Sequence, residues 1–113
     1  MNIQIHSVRF DADKKLLDFV NLKVNKLTNY SEDIVSAEVF LRLDKDHEME
    51  NKVAEIKIEY PGGPFFAKKK SKSFEESTDL VVDALKKQIT RHKEKTRGAW
   101  SVFQKNVPFI FVD

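Results

Sequence analysis

Two stretches of the chain place an apolar residue at every second position: Val35, Ala37, Val39, Leu41 and Leu43, then Ala54, Ile56, Ile58 and Tyr60. A period of two puts those side chains on one face of a strand, so both read as half-buried strands, the second with charge dominating its opposite face. Ile3, Ile5, Val8 and Phe10 form a further alternation that slips once near Ser7, which predicts a strand over 2–10 with a bulge. Over 14–29 the spacing changes: Leu16, Val20, Val24 and Leu27 recur at steps of four, four and three, with Leu17 and Phe19 widening the stripe. That is an amphipathic helix, and Asp11 and Asp13 offer its N-cap. After Tyr60, the run Pro61-Gly62-Gly63-Pro64 is a turn, and Phe65 and Ala67 begin a last strand that runs out into Lys68-Lys69-Lys70. Residues 74–97 make the longest helix, with Phe74, Val81, Leu85, Ile89 and His92 on one face and Val82 at its border.

The order is β-α-β-β-β-α, which predicts an α+β fold: a four-stranded sheet with two helices packed on one face. The first two strands would be parallel across a right-handed helical crossover, and the others an antiparallel meander. A chain of 113 residues suits one core. Residues 1–97 form that domain, and 98–113 form an apolar C-terminal tail containing Trp100, Phe103, Phe109 and Phe111. The pattern from Val107 to Val112 reads as an extended segment too hydrophobic to stay unpartnered. Its host is the edge or open face of its own sheet, a second copy, or a partner protein, and the second case would make a homodimer with Trp100, Phe103, Phe109 and Phe111 as contacts.

Composition narrows the function. With 41% hydrophobic and 34% charged residues, and no apolar run near the roughly 20 residues that span a bilayer, no membrane role is expected. The start of the chain lacks the pattern of a signal peptide, and there is no cysteine, so disulfides and thiolate metal sites are excluded and the cytoplasm is the expected location. The net charge of +2 hides an asymmetry: residues 1–67 carry 9 Lys/Arg against 12 Asp/Glu, and residues 68–97 carry 10 against 5. A polyanion is the natural partner of such a stretch; a solvated basic face is the bland alternative.

Helical geometry sorts those cations into two rows beside the apolar face of the last helix. Lys86, Lys93 and Arg97 lie on one flank, and Lys87, Arg91 and Lys95 on the other. A cleft lined by phosphates can use both flanks at once, each contact releasing condensed counterions. Lys68, Lys69, Lys70 and Lys72 extend the patch or, equally, blunt a strand edge. No other constellation carries chemistry. Asp44, Asp46, Glu48, Glu50 and Glu55 fall on calcium-loop positions, but Met49 stands where glycine is needed, so no metal is expected. His6, His47 and His92 sit on separate elements, and His92, on the apolar face, reads as a hydrogen-bonded structural histidine. No enzyme, cofactor or DNA partner is implied.

The motif Leu16-x-x-Phe19-Val20-x-x-Lys23-x-x-Lys26-Leu27-x-x-Tyr30-x-x-x-Ile34 resembles the first helix of the ribosome hibernation-promoting factors and ribosome-associated inhibitors. Ala37-Glu38-Val39, Asn51-Lys52-Val53-Ala54-Glu55-Ile56, Gly62-Gly63 and Asp79-Leu80-x-x-Asp83-Ala84-Leu85-x-x-Gln88-Ile89-x-x-His92-Lys93-x-Lys95 resemble the same family, in the same order, over residues 1–97. The resemblance implies a non-enzymatic protein that binds the small ribosomal subunit and its rRNA in the channel between head and body, occupying messenger and transfer RNA sites and stopping translation in starvation. Lys23 and Lys26 match family positions and join the rRNA-binding set. Helical counting puts Lys23 inside the apolar arc between Phe19 and Leu27, where its stem either snorkels out beside the sheet or leaves the core toward RNA. The chain departs from the family at 69–76, which is more charged, and in its apolar tail. It also lacks the separate C-terminal dimerisation domain of the long members. Two other functions compete: a generic double-stranded-RNA-binding module, whose α-β-β-β-α order is related, and an interaction protein acting through its tail.

Overall fold

The computed structural model describes the backbone of residues 1–44 and 49–105, and the side chains of these up to Lys93. Its elements are β1 (Asn2–Val8), α1 (Lys14–Asn25) continued by a 3-10 turn (Lys26–Asn29), β2 (Ser36–Leu43), β3 (Lys52–Glu59), β4 (Phe65–Ser71) and α2 (Phe74–Lys105). The sheet order is β1-β2-β3-β4, with β1 parallel to β2 and the other neighbours antiparallel. The fold is the expected β-α-β-β-β-α arrangement.

The core lies between one face of the sheet and both helices. Val39, Leu41, Ile56 and Ile58 from the strands, Val20, Val24 and Leu27 from α1 and its 3-10 turn, and Val81, Leu85 and Ile89 from α2 are all fully buried. Local chemistry sets the helix starts. The Asp13 carboxylate accepts the Leu16 N–H at 2.9 Å, and the Ser73 hydroxyl accepts the Glu76 N–H at 3.0 Å in the Ser-x-x-Glu spacing of a capping box. A buried relay pins the start of α2 to the sheet. The Ser71 and Ser77 hydroxyls share a hydrogen bond at 2.7 Å, and Ser77 donates to the Lys52 carbonyl at 2.6 Å.

Several sequence expectations change in detail. There is no bulge in β1: its register with β2 runs unbroken from Asn2↔Ser36 to Val8↔Arg42. The slip near Ser7 is resolved at Arg9, whose φ of 71° breaks the strand alternation after Val8. Phe10 then stacks on Phe74 with ring centroids 4.5 Å apart, tying the end of β1 to the start of α2. β4 extends to Ser71, so Lys68, Lys69 and Lys70 lie within the strand. α2 does not stop at Arg97 but continues through Gly98 to Lys105. One interior glycine costs a helix only about 1 kcal/mol, which its flanking residues can bear. Trp100 and Phe103 therefore sit on helical backbone. Phe109 and Phe111, and with them the extended segment expected over 107–112, lie outside the described residues.

The topology also sets the relative direction of the helices. Each runs back against the strand before it, and β1 and β4 point the same way, so α1 and α2 are parallel. The contacts agree: Lys23 of α1 meets Asp79 early in α2, while Tyr30, just past the 3-10 turn, meets Lys86 and Lys93 further along.

Beneath α2 the Thr78 hydroxyl is buried, and among the described residues it has no hydrogen-bond partner. Leaving such a group unpaired costs about 1–3 kcal/mol, and valine keeps the shape. Thr78→Val is therefore expected to raise the unfolding free energy by about 1 kcal/mol, read from urea denaturation. A loss of stability would show that the hydroxyl is bonded through water.

Candidate nucleic-acid interface

Because the helices are parallel and α2 is much the longer, the end of α1 and its 3-10 turn lie beside the middle of α2, and the cations there come together. Lys26 is exposed on the 3-10 turn, and Lys86, Lys87, Arg91 and Lys93 are exposed on α2. Lys86 and Lys93 occupy the flank that faces α1. The Lys86 ammonium stands 5.3 Å from the centroid of the Tyr30 ring, and the Lys93 ammonium donates to the Tyr30 carbonyl at 2.9 Å. Lys87 and Arg91 occupy the outer flank. Lys87 pairs with Asp83 at 3.3 Å, and Arg91 has no ion-pair partner among the described residues. The α1 dipole presents its negative end beside Lys26, which eases the repulsion of the cations there. Lys95 and Arg97 continue α2 in the same direction, but their side chains lie outside those described.

Lys23 takes neither of the positions expected for it. It is half-buried in the seam between the helices, its ammonium 3.1 Å from the Asp79 carboxylate and 5.5 Å from the centroid of the Phe19 ring. It leaves the apolar arc by crossing to α2, where the carboxylate balances its charge.

The lysines of β4 do not extend this patch. They lie at the end of β4 that leads into the start of α2, whereas Arg91 and Lys93 lie far along that helix. The pleat then divides them. Lys68 and Lys70 share a face with Phe66, away from buried Ala67 and Ser71, while Lys69 lies on the helix side and Lys72 in the loop before α2. Lys70 approaches Asp44 at 3.3 Å. The open sheet face carries both signs of charge: Arg42 pairs with Glu55, and His6 contacts Glu38 at 3.0 Å and stacks on Phe40.

Among the described residues His92 is held by aromatic packing, without the hydrogen bond expected for it. Tyr60 and Phe65 meet its ring edge-on at 5.4 and 5.7 Å. Gly62 allows this, since a Cβ built there would lie 3.0 Å from the imidazole. The 61–64 turn thus seats α2 at His92, between Arg91 and Lys93 of the basic rows. Tyr30, Asp79 and Gly62 are not visible as site residues in the sequence. Tyr30 and Lys93 are 63 positions apart, and only the parallel helix packing joins them.

These features define a class: a small α+β binding module that presents cations where the end of its first helix meets the middle of its second. Among the described residues no His, Cys, Asp and Glu group is placed to hold a metal ion, and no helix is long and apolar enough to cross a membrane. The chain belongs to the Sigma 54 modulation protein / S30EA ribosomal protein family, whose model matches residues 3–97. Its relatives include the ribosome hibernation promoting factor of Pseudomonas putida, 25% identical over 98 residues that cover 87% of this chain and 92% of that protein. The ribosome hibernation promoting factor of Salmonella typhimurium is 29% identical over 97 residues, covering 86% and 96%. Among solved structures, the Protein Y N-terminal domain of Thermus thermophilus matches with a TM-score of 0.70 at 27% identity, over 81% of this chain and 99% of that one. A ribosomal subunit interface protein from Coxiella burnetii matches in fold, with a TM-score of 0.75 at 20% identity over 84% and 100%.

Proposed function

We propose that this protein is a cytoplasmic ribosome hibernation factor. It binds the small ribosomal subunit through rRNA in the messenger and transfer RNA channel, and it inhibits translation by occupancy, without catalysis. The observation that carries this reading is the convergence of Lys26, Lys86, Lys87, Arg91 and Lys93 where the end of α1 meets the middle of the parallel helix α2. A ribosomal cleft surrounds its ligand, so phosphates on two sides can meet both flanks of α2, and the gain from counterion release grows with every contact. Family membership and the named relatives support the same partner.

Sedimentation of purified ribosomes with and without the protein, alongside translation in a purified system, tests the proposal. The protein is expected to travel with the small subunit, and inhibition to be stoichiometric with ribosomes and reversible on dilution. Full translation at saturating protein would overturn it.

A further inference from the structure

Two carboxylates in α2 stand where the helix itself has little use for them. Glu75 and Glu76 already supply the negative charge that favours a helix start, and that effect fades beyond the first turn. Asp79 and Asp83 lie one and two turns further on, at interior positions where aspartate is a poor helix former. Each holds a cation: Asp79 takes Lys23 across the helix seam at 3.1 Å, and Asp83 takes Lys87 at 3.3 Å. The Asp79, Asp83 and Lys87 side chains are 51, 57 and 65% exposed. The Lys87–Asp83 pair, open to solvent on both sides, adds little to stability, and Lys23, 30% exposed, is held more closely by Asp79 in the helix seam. The main consequence of both pairs is electrostatic: two lysines beside the basic face are neutralised from within the molecule.

A phosphate can recruit Lys23 or Lys87 only by displacing a carboxylate that then remains nearby as a like charge. Lys26, Lys86, Arg91 and Lys93 carry no such carboxylate among the described residues. A free RNA duplex lying against one flank of α2 meets either Lys26, Lys86 and Lys93 beside Asp79, or Arg91 beside Asp83, so each approach engages part of the cation set and faces a carboxylate. A folded RNA surface that meets both flanks engages the four cations together, and their combined attraction offsets the displacement. We propose that Asp79 and Asp83 are specificity-determining residues of the basic face, which suppress binding to generic double-stranded RNA by holding Lys23 and Lys87 in reserve. This rests on the rRNA-binding reading and names the groups that make it selective.

The test compares the intact chain with the Asp79→Asn/Asp83→Asn variant on two probes: purified small ribosomal subunits, and an RNA duplex of about 20 base pairs and arbitrary sequence, long enough to present successive grooves. The variant is expected to bind the duplex about tenfold or more tightly, with a salt slope steeper by up to about 2 from the two freed cations. Its affinity for the small subunit is expected to change by less than about threefold, so the preference between the probes narrows. Adding Lys23→Gln and Lys87→Gln should remove the gain on duplex, and circular dichroism confirms that each variant is folded. Unchanged duplex affinity, an equal or larger gain on the small subunit, or a duplex gain that persists without Lys23 and Lys87 would each overturn the proposal. Failure of the intact chain to bind small subunits would instead overturn the rRNA reading, while the duplex comparison would still report on the two carboxylates.

Discussion

Replacing Lys86, Arg91 and Lys93 together by glutamine is expected to weaken binding to the small ribosomal subunit by about tenfold or more, and to flatten its log–log salt dependence by roughly 2–3, about 0.9 for each phosphate no longer neutralised. The three residues sample both flanks of α2 and are all exposed. Exposed substitutions of this kind usually change stability by less than about 0.5 kcal/mol, so the variant should remain folded. Lys93 also bonds the Tyr30 carbonyl, and a melting curve of the triple variant shows whether that bond matters to the fold. Equilibrium binding at several salt concentrations is the measurement. An unchanged affinity and slope in a folded variant would move the RNA-binding surface elsewhere, with the Lys68 and Lys70 side of the sheet the next candidate.

The second large effect is on stability. Ile89 is fully buried beneath α2, three residues after Lys86 and four before Lys93, and it belongs to the cluster that includes Leu85, Ile56 and Leu27. Ile89→Ala removes buried methyl groups and leaves a cavity, and such changes cost about 2–5 kcal/mol. In a domain of this size the melting temperature should fall by roughly 10 °C or more. Urea unfolding measures the first and a thermal scan the second. A cost below about 1 kcal/mol would mean that this part of α2 collapses onto the sheet without loss. At temperatures where the variant is folded, its salt slope on ribosomes should match that of the unaltered protein, because no cation has been touched. The two variants thus separate the seat of the basic rows from the rows themselves.

The basic rows are legible in the sequence because a helix has a fixed period. If residues 74–97 form one helix, Lys86 and Lys93 must share one flank and Lys87 and Arg91 the other. The β4 lysines mislead for a related reason. Consecutive positions on a strand point to opposite faces, and Lys68 to Lys70 look like one cluster only until the strand is known to run to Ser71. Lys23 is legible as a problem, a cation inside an apolar arc, but its answer lies on another element. Asp79 is 56 positions away, and nothing local to either residue reveals the pair.

What the sequence determined by itself is the order and type of the elements, the apolar faces they bury and the overall imbalance of charge. These follow from side-chain periodicity and capping, which act over a few residues. The tertiary structure alone decided that the two helices run parallel with their cations on one side, that Asp79 and Tyr30 engage the lysines, that Gly62 makes room for His92, and that α2 passes through Gly98. Each of these depends on contacts between elements distant along the chain, or on a helix carrying past one unfavourable residue, where packing and cooperativity outweigh local preference.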